Sequence, residues 1–139
     1  AAANGHVDIV RLLVQAGADP NAAALNGSTS LMMAALNQHL AVLEYLLQIE
    51  GIELDAANST PEGRGTTAFH LACANGDLPA VKLLKAAGCN GELQCQHRGR
   101  STSAEQLAQA CGKPGSHAVV TFLRLAAVLC ETSANTCLH

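Results

Sequence analysis

The sequence predicts an all-α solenoid of stacked helix-turn-helix units with short hairpin-like loops. Three observations carry that prediction. First, Val10, Leu43, Val81 and Val120 align, and each is followed three residues on by Leu13, Leu46, Leu84 or Leu123. Second, five residues before each stands Gly5, Gln38, Gly76 or Gly115, and successive copies are 33, 38 and 39 residues apart, a spacing characteristic of stacked repeats. Third, aromatic residues make up 2% of a chain that is 49% hydrophobic, so the core must be built from Ala, Leu and Val. Such side chains favour closely stacked helices over a sandwich of bulky strands.

Each unit has a chemically marked start. Thr29, Thr67 and Thr102 stand where a helix N-cap is needed, with a hydroxyl able to accept a backbone N–H of the first turn. Thr102-Ser103-Ala104-Glu105 reads as a capping box in which Glu105 reaches back to the cap. The stops are marked as well: Gly17 and Gly88 follow the second helices where a left-handed residue ends a helix, and Gly51 does so one residue late. Between start and stop, Val10 with Leu13 and Val81 with Leu84 fall on one helix face. Asp8, Arg11 and Gln15, or Lys82 and Lys85, fall on another. Burial of each large apolar side chain contributes roughly 1.5–3 kcal/mol, mostly against the neighbouring unit.

These residues resemble ankyrin repeats. Thr67-Ala68-Phe69-His70 is similar to the family's T-P-L-H start, and Gly17-Ala18-Asp19-Pro20-Asn21 to its G-A-D-x-N end. The likeness runs from Ala1 to about Cys130, with departures at Met32 and Glu105, which replace the motif His in the second and fourth units. It divides the chain into a partial repeat over 1–26, a repeat with a long loop over 27–64, a repeat over 65–99, a divergent last repeat over 100–130 and a tail over 131–139. Counting back from Gly5, Ala1 and Ala2 fall inside a first helix, so the frame predicts a chain that begins within a unit. The last helix is expected over Ala118–Cys130, where only Thr121 and Arg124 are polar. A terminal repeat needs a polar outer side, so a tail, a further repeat or another subunit is expected to cover it.

Charge and composition narrow the function. Eight Lys and Arg against eleven Asp and Glu give a net charge of −3 with no long basic block, which argues against nucleic acid as a partner. The apolar window of the last helix is too short for the roughly 20 residues that span a bilayer, so membrane insertion is not expected. Six Cys without a tight framework read as reduced thiols in an intracellular compartment that the sequence leaves open.

Function in an array concentrates where units differ. The loop over Ala56–Gly65 is four residues longer than the first loop, Ala22–Gly27, and the third, around Cys95–Arg100, is two residues longer with the densest positive charge, suited to an acidic surface. In the fourth unit, Cys111-Gly112-Lys113-Pro114-Gly115 predicts a projecting turn between the helices. The ankyrin resemblance implies partner contacts at loop tips and on the exposed side of the first helices. Those positions are Leu25, Asn26, Ser28, Arg64, Thr66, Arg98 and Ser101 on the loops, and Leu36, Asn37, Ala74 and Asn75 on the helices.

Catalytic alternatives are weak. His70 and Cys73 lie three apart, which would suit a thiol and a base or two metal ligands, but the resemblance makes His70 the motif His, bonded to backbone, and Cys73 a small-residue position. Cys95-Gln96-His97 and Cys137-Leu138-His139 could form a zinc site only across most of the stack. No phosphate loop or nucleophile elbow occurs, and Glu44, Glu53, Asp55 and Glu62 lie on solvated faces or loops. The expectation is a non-catalytic module without cofactor, metal or small-molecule substrate, binding another protein. The alternative is a structural subunit packed into a larger assembly through its apolar last helix.

Overall fold

Helices start after side-chain caps at Thr29, Thr67, Asp77 and Ser103, and without one after His6 and His39. The computed structural model describes residues 2–61 and 63–137, with side chains through residue 128 other than that of residue 3. A short 3-10 turn, Ala2–Asn4, precedes α1 (Val7–Gln15), α2 (Ser30–Leu36), α3 (Leu40–Leu47), α4 (Ala68–Ala74) and α5 (Leu78–Ala87). A hairpin of β1 (Gln94–His97) and β2 (Arg100–Ser103) leads into α6 (Ala104–Cys111) and α7 (Ser116–Cys137). Two rows of helices result. The 3-10 turn, α2, α4 and α6 pack in sequence as the first row, and α1, α3, α5 and α7 pack as the second.

Small residues let the first row close up. Ala34, Ala35, Ala72, Cys73 and Ala108 are all fully buried between neighbouring helices, where larger side chains would hold the backbones apart. On the second row Val42, Leu43, Leu46, Val81, Leu84 and Val119 are fully buried as well. Leu13 departs from its column. It is 49% exposed, whereas Leu46 and Leu84 are buried. Those two have a helix of the second row on either side; α1 packs on α3 alone in that row. Leu123, on α7 at the other end, is half-buried for the same reason.

The caps of the second and third units form as expected. Thr29 Oγ1 accepts from the Met32 N–H at 3.3 Å, and Thr67 caps α4 in a full capping box with His70. The fourth unit differs by one residue. Its cap is Ser103, with Gln106 completing the box, not Thr102 with Glu105. The hairpin is the cause: Thr102 pairs with Cys95 in the ladder, so the helix starts one residue later. Gln106 therefore takes the place of the motif His, and Glu105 instead accepts from Arg124 Nε of α7 at 2.7 Å.

The second helices end as predicted, with Gly17, Gly51 and Gly88 at φ of 98°, 81° and 100°. The turns between paired helices also share one conformation: Gly5, Gln38, Gly76 and Gly115 all have positive φ. Gly76 and Gly115 lie back to back, and a Cβ on Gly76 would sit 2.5 Å from the Pro114 carbonyl oxygen. The projecting turn of the fourth unit is thus packed against the third. The last helix is longer than its expected Ala118–Cys130, running from Ser116 to Cys137, so the backbone of 131–137 extends α7.

Candidate functional site

Three fingers project from the loops between units, and backbone bonds make them continuous. In the first, the Ala24 N–H donates to Ser28 O at 2.9 Å and the Gly27 N–H to Ala24 O at 2.8 Å. In the second, the Asn58 N–H donates to Thr66 O and the Gly65 N–H to Asn58 O in the same pattern. Neighbouring fingers are tied as well: the Ser59 N–H donates to Asn26 O at 2.9 Å, and the Gln96 N–H to Arg64 O at 2.7 Å. Side chains at the tips are therefore carried on fixed backbone.

Leu25 is fully exposed at the first tip. Beside it Asn26 turns its Oδ1 back to the Ser28 N–H at 3.0 Å. Arg64 is exposed on the second finger while Thr66 is half-buried, its side chain bonded to the Cys95 thiol. On the third, Arg98 and Gly99 form a two-residue turn with φ of 52° and 78°, and exposed Ser101 donates to Gln94 Oε1. Leu36 and Asn37 are exposed at the end of α2, and Asn37 Nδ2 is held by Met33 O. Asn75 is engaged in the stack: its Nδ2 donates to Leu36 O at 2.8 Å and Ala35 O at 3.2 Å. Its neighbour Ala74 is half-buried. Backbone bonds thus join the three fingers to one another, and Asn75 joins α4 to the end of α2.

Polar ties at the far ends of the loops were not anticipated from the sequence. Asn21 donates to Gly51 O at 2.9 Å and accepts from the Glu53 N–H at 2.8 Å. One unit on, Asp55 accepts from the Asn90 N–H at 2.8 Å. The signal lay in the G-A-D-x-N ends, where Asn21 and Asp55 stand four residues after Gly17 and Gly51.

The titratable groups serve packing. Thr67 N–H donates to His70 Nδ1 at 3.2 Å, which fixes the proton on Nε2, and Nε2 donates to Leu93 O at 2.8 Å. Burial holds this imidazole below its ordinary value, with the Leu93 bond opposing in part. Burial pushes the Cys73 thiol up to about 12 and the Cys89 thiol up to about 11, so neither supplies a thiolate near neutrality. Cys95 is buried and also raised. Its suggested zinc partners, the Cys137 side chain and His139, lie outside the described residues. Among the described residues no three His, Cys, Asp or Glu side chains converge as a metal site.

Comparison with known proteins names this architecture. A family model described as ankyrin repeats in three copies matches residues 1–58, and the single ankyrin-repeat model matches 64–95. The chain belongs to the ankyrin-repeat family. It is 42% identical over 83 residues to the human ankyrin repeat domain-containing protein 63, covering 58% of this chain and 21% of that protein. It is 41% identical over 88 residues to the probable E3 ubiquitin-protein ligase XBOS33 of Oryza sativa subsp. japonica, covering 62% and 16%. A third relative, the ankyrin repeat and KH domain-containing protein CBG24701 of Caenorhabditis briggsae, is 34% identical over 94 residues, covering 66% and 3%. The ankyrin array thus spans about a fifth or less of the curated relatives it matches. Ankyrin repeats are in general protein-protein interaction modules and typically non-catalytic. No helix among the described residues is long and apolar enough to cross a membrane.

Proposed function

We propose that this ankyrin array is a non-catalytic recognition module that holds a partner protein against its finger tips and the exposed side of α2, α4 and α6. One observation carries the reading: Leu25, a large apolar side chain, stands fully in solvent at the tip of a finger fixed by backbone bonds. Leu36, 44% exposed at the end of α2, supports it as a second apolar contact. Exposed leucines on rigid backbone lose little ordering entropy on binding. The buried thiols of Cys73, Cys89 and Cys95, all with raised pKa, suit a reducing intracellular setting.

The test is a photocrosslinking residue at position 25 or 36, with position 86 on the exposed face of α5 as control. A partner captured at 25 and 36 and released by Leu25→Ser supports the reading. Equal capture from all three positions overturns it.

A second reading, a subunit built permanently into a larger assembly, draws on α7, where Leu125 and Val128 are each more than half exposed. Light scattering behind size-exclusion chromatography separates the two. Self-association that Leu125→Gln and Val128→Gln abolish favours the built-in subunit; a monomer in both favours the transient module.

A further inference from the structure

Four Asn-Gly pairs occur in the chain: Asn4-Gly5, Asn26-Gly27, Asn75-Gly76 and Asn90-Gly91. The pair is chemically labile because glycine has no Cβ to keep its own backbone nitrogen away from the preceding carboxamide. Attack of that nitrogen on the asparagine Cγ also requires its N–H to be free, since the proton leaves as the new bond forms. The structure sorts the four pairs on this point. The Gly5 N–H donates to Ala2 O at 3.2 Å, the Gly27 N–H to Ala24 O at 2.8 Å and the Gly76 N–H to Cys73 O at 3.1 Å. Asn75 is held twice over, its Nδ2 bonded to Leu36 O and Ala35 O. Among the described residues the Gly91 N–H has no hydrogen-bond acceptor.

The surroundings of Asn90 also suit the charges that such an attack develops. Asn90 is exposed, and its Oδ1 accepts the Glu92 N–H at 3.0 Å. Negative charge building on that oxygen as Cγ becomes tetrahedral therefore meets a donor already in place. A Cβ on Gly91 would lie 3.2 Å from Lys85 Nζ, and an ammonium so near the amide favours loss of its proton. Asn26 has the same turn, with Oδ1 accepting the Ser28 N–H at 3.0 Å, but its glycine nitrogen is bonded. It serves as an internal control.

We propose that Asn90 is a site of spontaneous deamidation in the folded chain, and that the product loosens the tie between the second and third units. The Gly91 N–H gives its proton to solvent hydroxide, the bond from nitrogen to Asn90 Cγ forms, the Cγ–Nδ2 bond breaks and ammonia leaves. Water then opens the succinimide. Cleavage at Cγ gives aspartate, and cleavage at the backbone carbonyl carbon gives isoaspartate; no oxidant or reductant takes part. Either product sets a new carboxylate beside Asp55, which accepts the Asn90 N–H at 2.8 Å, and two residues before Glu92. Like charges so placed repel. Isoaspartate also lengthens the main chain by one carbon, three residues before Leu93, whose carbonyl accepts from His70 Nε2 at 2.8 Å.

The full chain is aged at neutral pH, folded or unfolded in guanidinium chloride, and each Asn-Gly peptide is followed by mass spectrometry for the replacement of NH by O. Unfolded, the four sites share one dipeptide and should react at similar rates. In the folded chain Asn90 should keep its unfolded rate, whereas Asn26 and Asn75 should slow by about fivefold or more, the cost of first breaking a backbone hydrogen bond. The acidic form that carries the change at position 90, isolated by anion exchange, should unfold at a lower urea midpoint. Asn90→Gln, checked for fold by circular dichroism and aged in the same way, should keep its midpoint. The proposal is overturned by equal protection of all four sites or by folded Asn90 reacting no faster than Asn26. An unchanged midpoint in the acidic form, or an equal loss in aged Asn90→Gln, overturns it as well.

Discussion

The carboxylate of Asp55 accepts the backbone N–H of Asn90 at 2.8 Å, repeating one unit later the bond that Asn21 makes to the Glu53 N–H. Each bond runs from the loop after one second helix to the same loop in the next unit, so it couples neighbours without consuming apolar surface. Stability in a stack of this kind is a sum of unit and interface contributions. Asn21→Ala removes both of its inter-unit bonds, and the expected loss is about 1 kcal/mol, read as a lower urea midpoint with an unchanged m-value. Asp55→Asn keeps an acceptor oxygen and should lose less.

His70 makes the third unit pH-sensitive. Its neutral ring accepts at Nδ1 and donates at Nε2, and burial lowers its pKa in the folded chain. Below an unfolded value of about 6.5 the unfolded chain takes up a proton that the folded chain refuses. Stability is therefore full above that pH and falls as pH drops towards the lowered folded value, by up to about 1.4 kcal/mol per pH unit. His70→Gln, which copies the cap that Gln106 forms in the fourth unit, should lose about 1–3 kcal/mol with the Leu93 bond. It should also flatten the slope between pH 5 and 7; an unchanged slope in urea titrations would show that other groups carry it.

Thiol reactivity should follow burial. Cys73 and Cys89, pushed up to about 12 and about 11, and buried Cys95 should resist iodoacetamide at pH 8 in the native chain. Half-buried Cys111 should label before them, and all four should react in urea. Peptide-level mass spectrometry reads each site separately.

The column of left-handed turns contains one residue with a side chain, Gln38 at φ 61°. A non-glycine residue there carries a backbone cost of roughly 1–2 kcal/mol. Gln38→Gly should raise stability by up to about 1 kcal/mol once the greater freedom of the unfolded chain is set against it. Gly76→Ala should act in the opposite direction, by about 2 kcal/mol, because its Cβ meets the Pro114 carbonyl as well as a left-handed backbone. Thermal melts of the two variants should move in opposite directions.

The candidate surface was legible in part. The ankyrin resemblance implies Leu25, Asn26, Leu36, Asn37, Arg64, Arg98 and Ser101, and all seven are exposed. Asn75 was drawn from the same reasoning, yet its amide bridges to α2. Spacing locates a residue on a face but does not reveal whether its polar atoms are already satisfied by a neighbouring unit.

By itself the sequence determined the repeat, because each start, stop and apolar position is a local signal: Thr29 and Thr67 cap, Gly17 and Gly88 terminate, and Val81 and Leu84 recur at helical spacing. Tertiary structure decided what local signals leave open. Thr102 and Ser103 are both competent caps, and pairing of Thr102 with Cys95 gave the role to Ser103. Leu13 and Leu46 hold the same place in the repeat, but only Leu46 has second-row helices on both sides, so only Leu46 is buried. A cap or a helical period is written in a few consecutive residues, whereas burial and pairing depend on what the rest of the chain brings alongside.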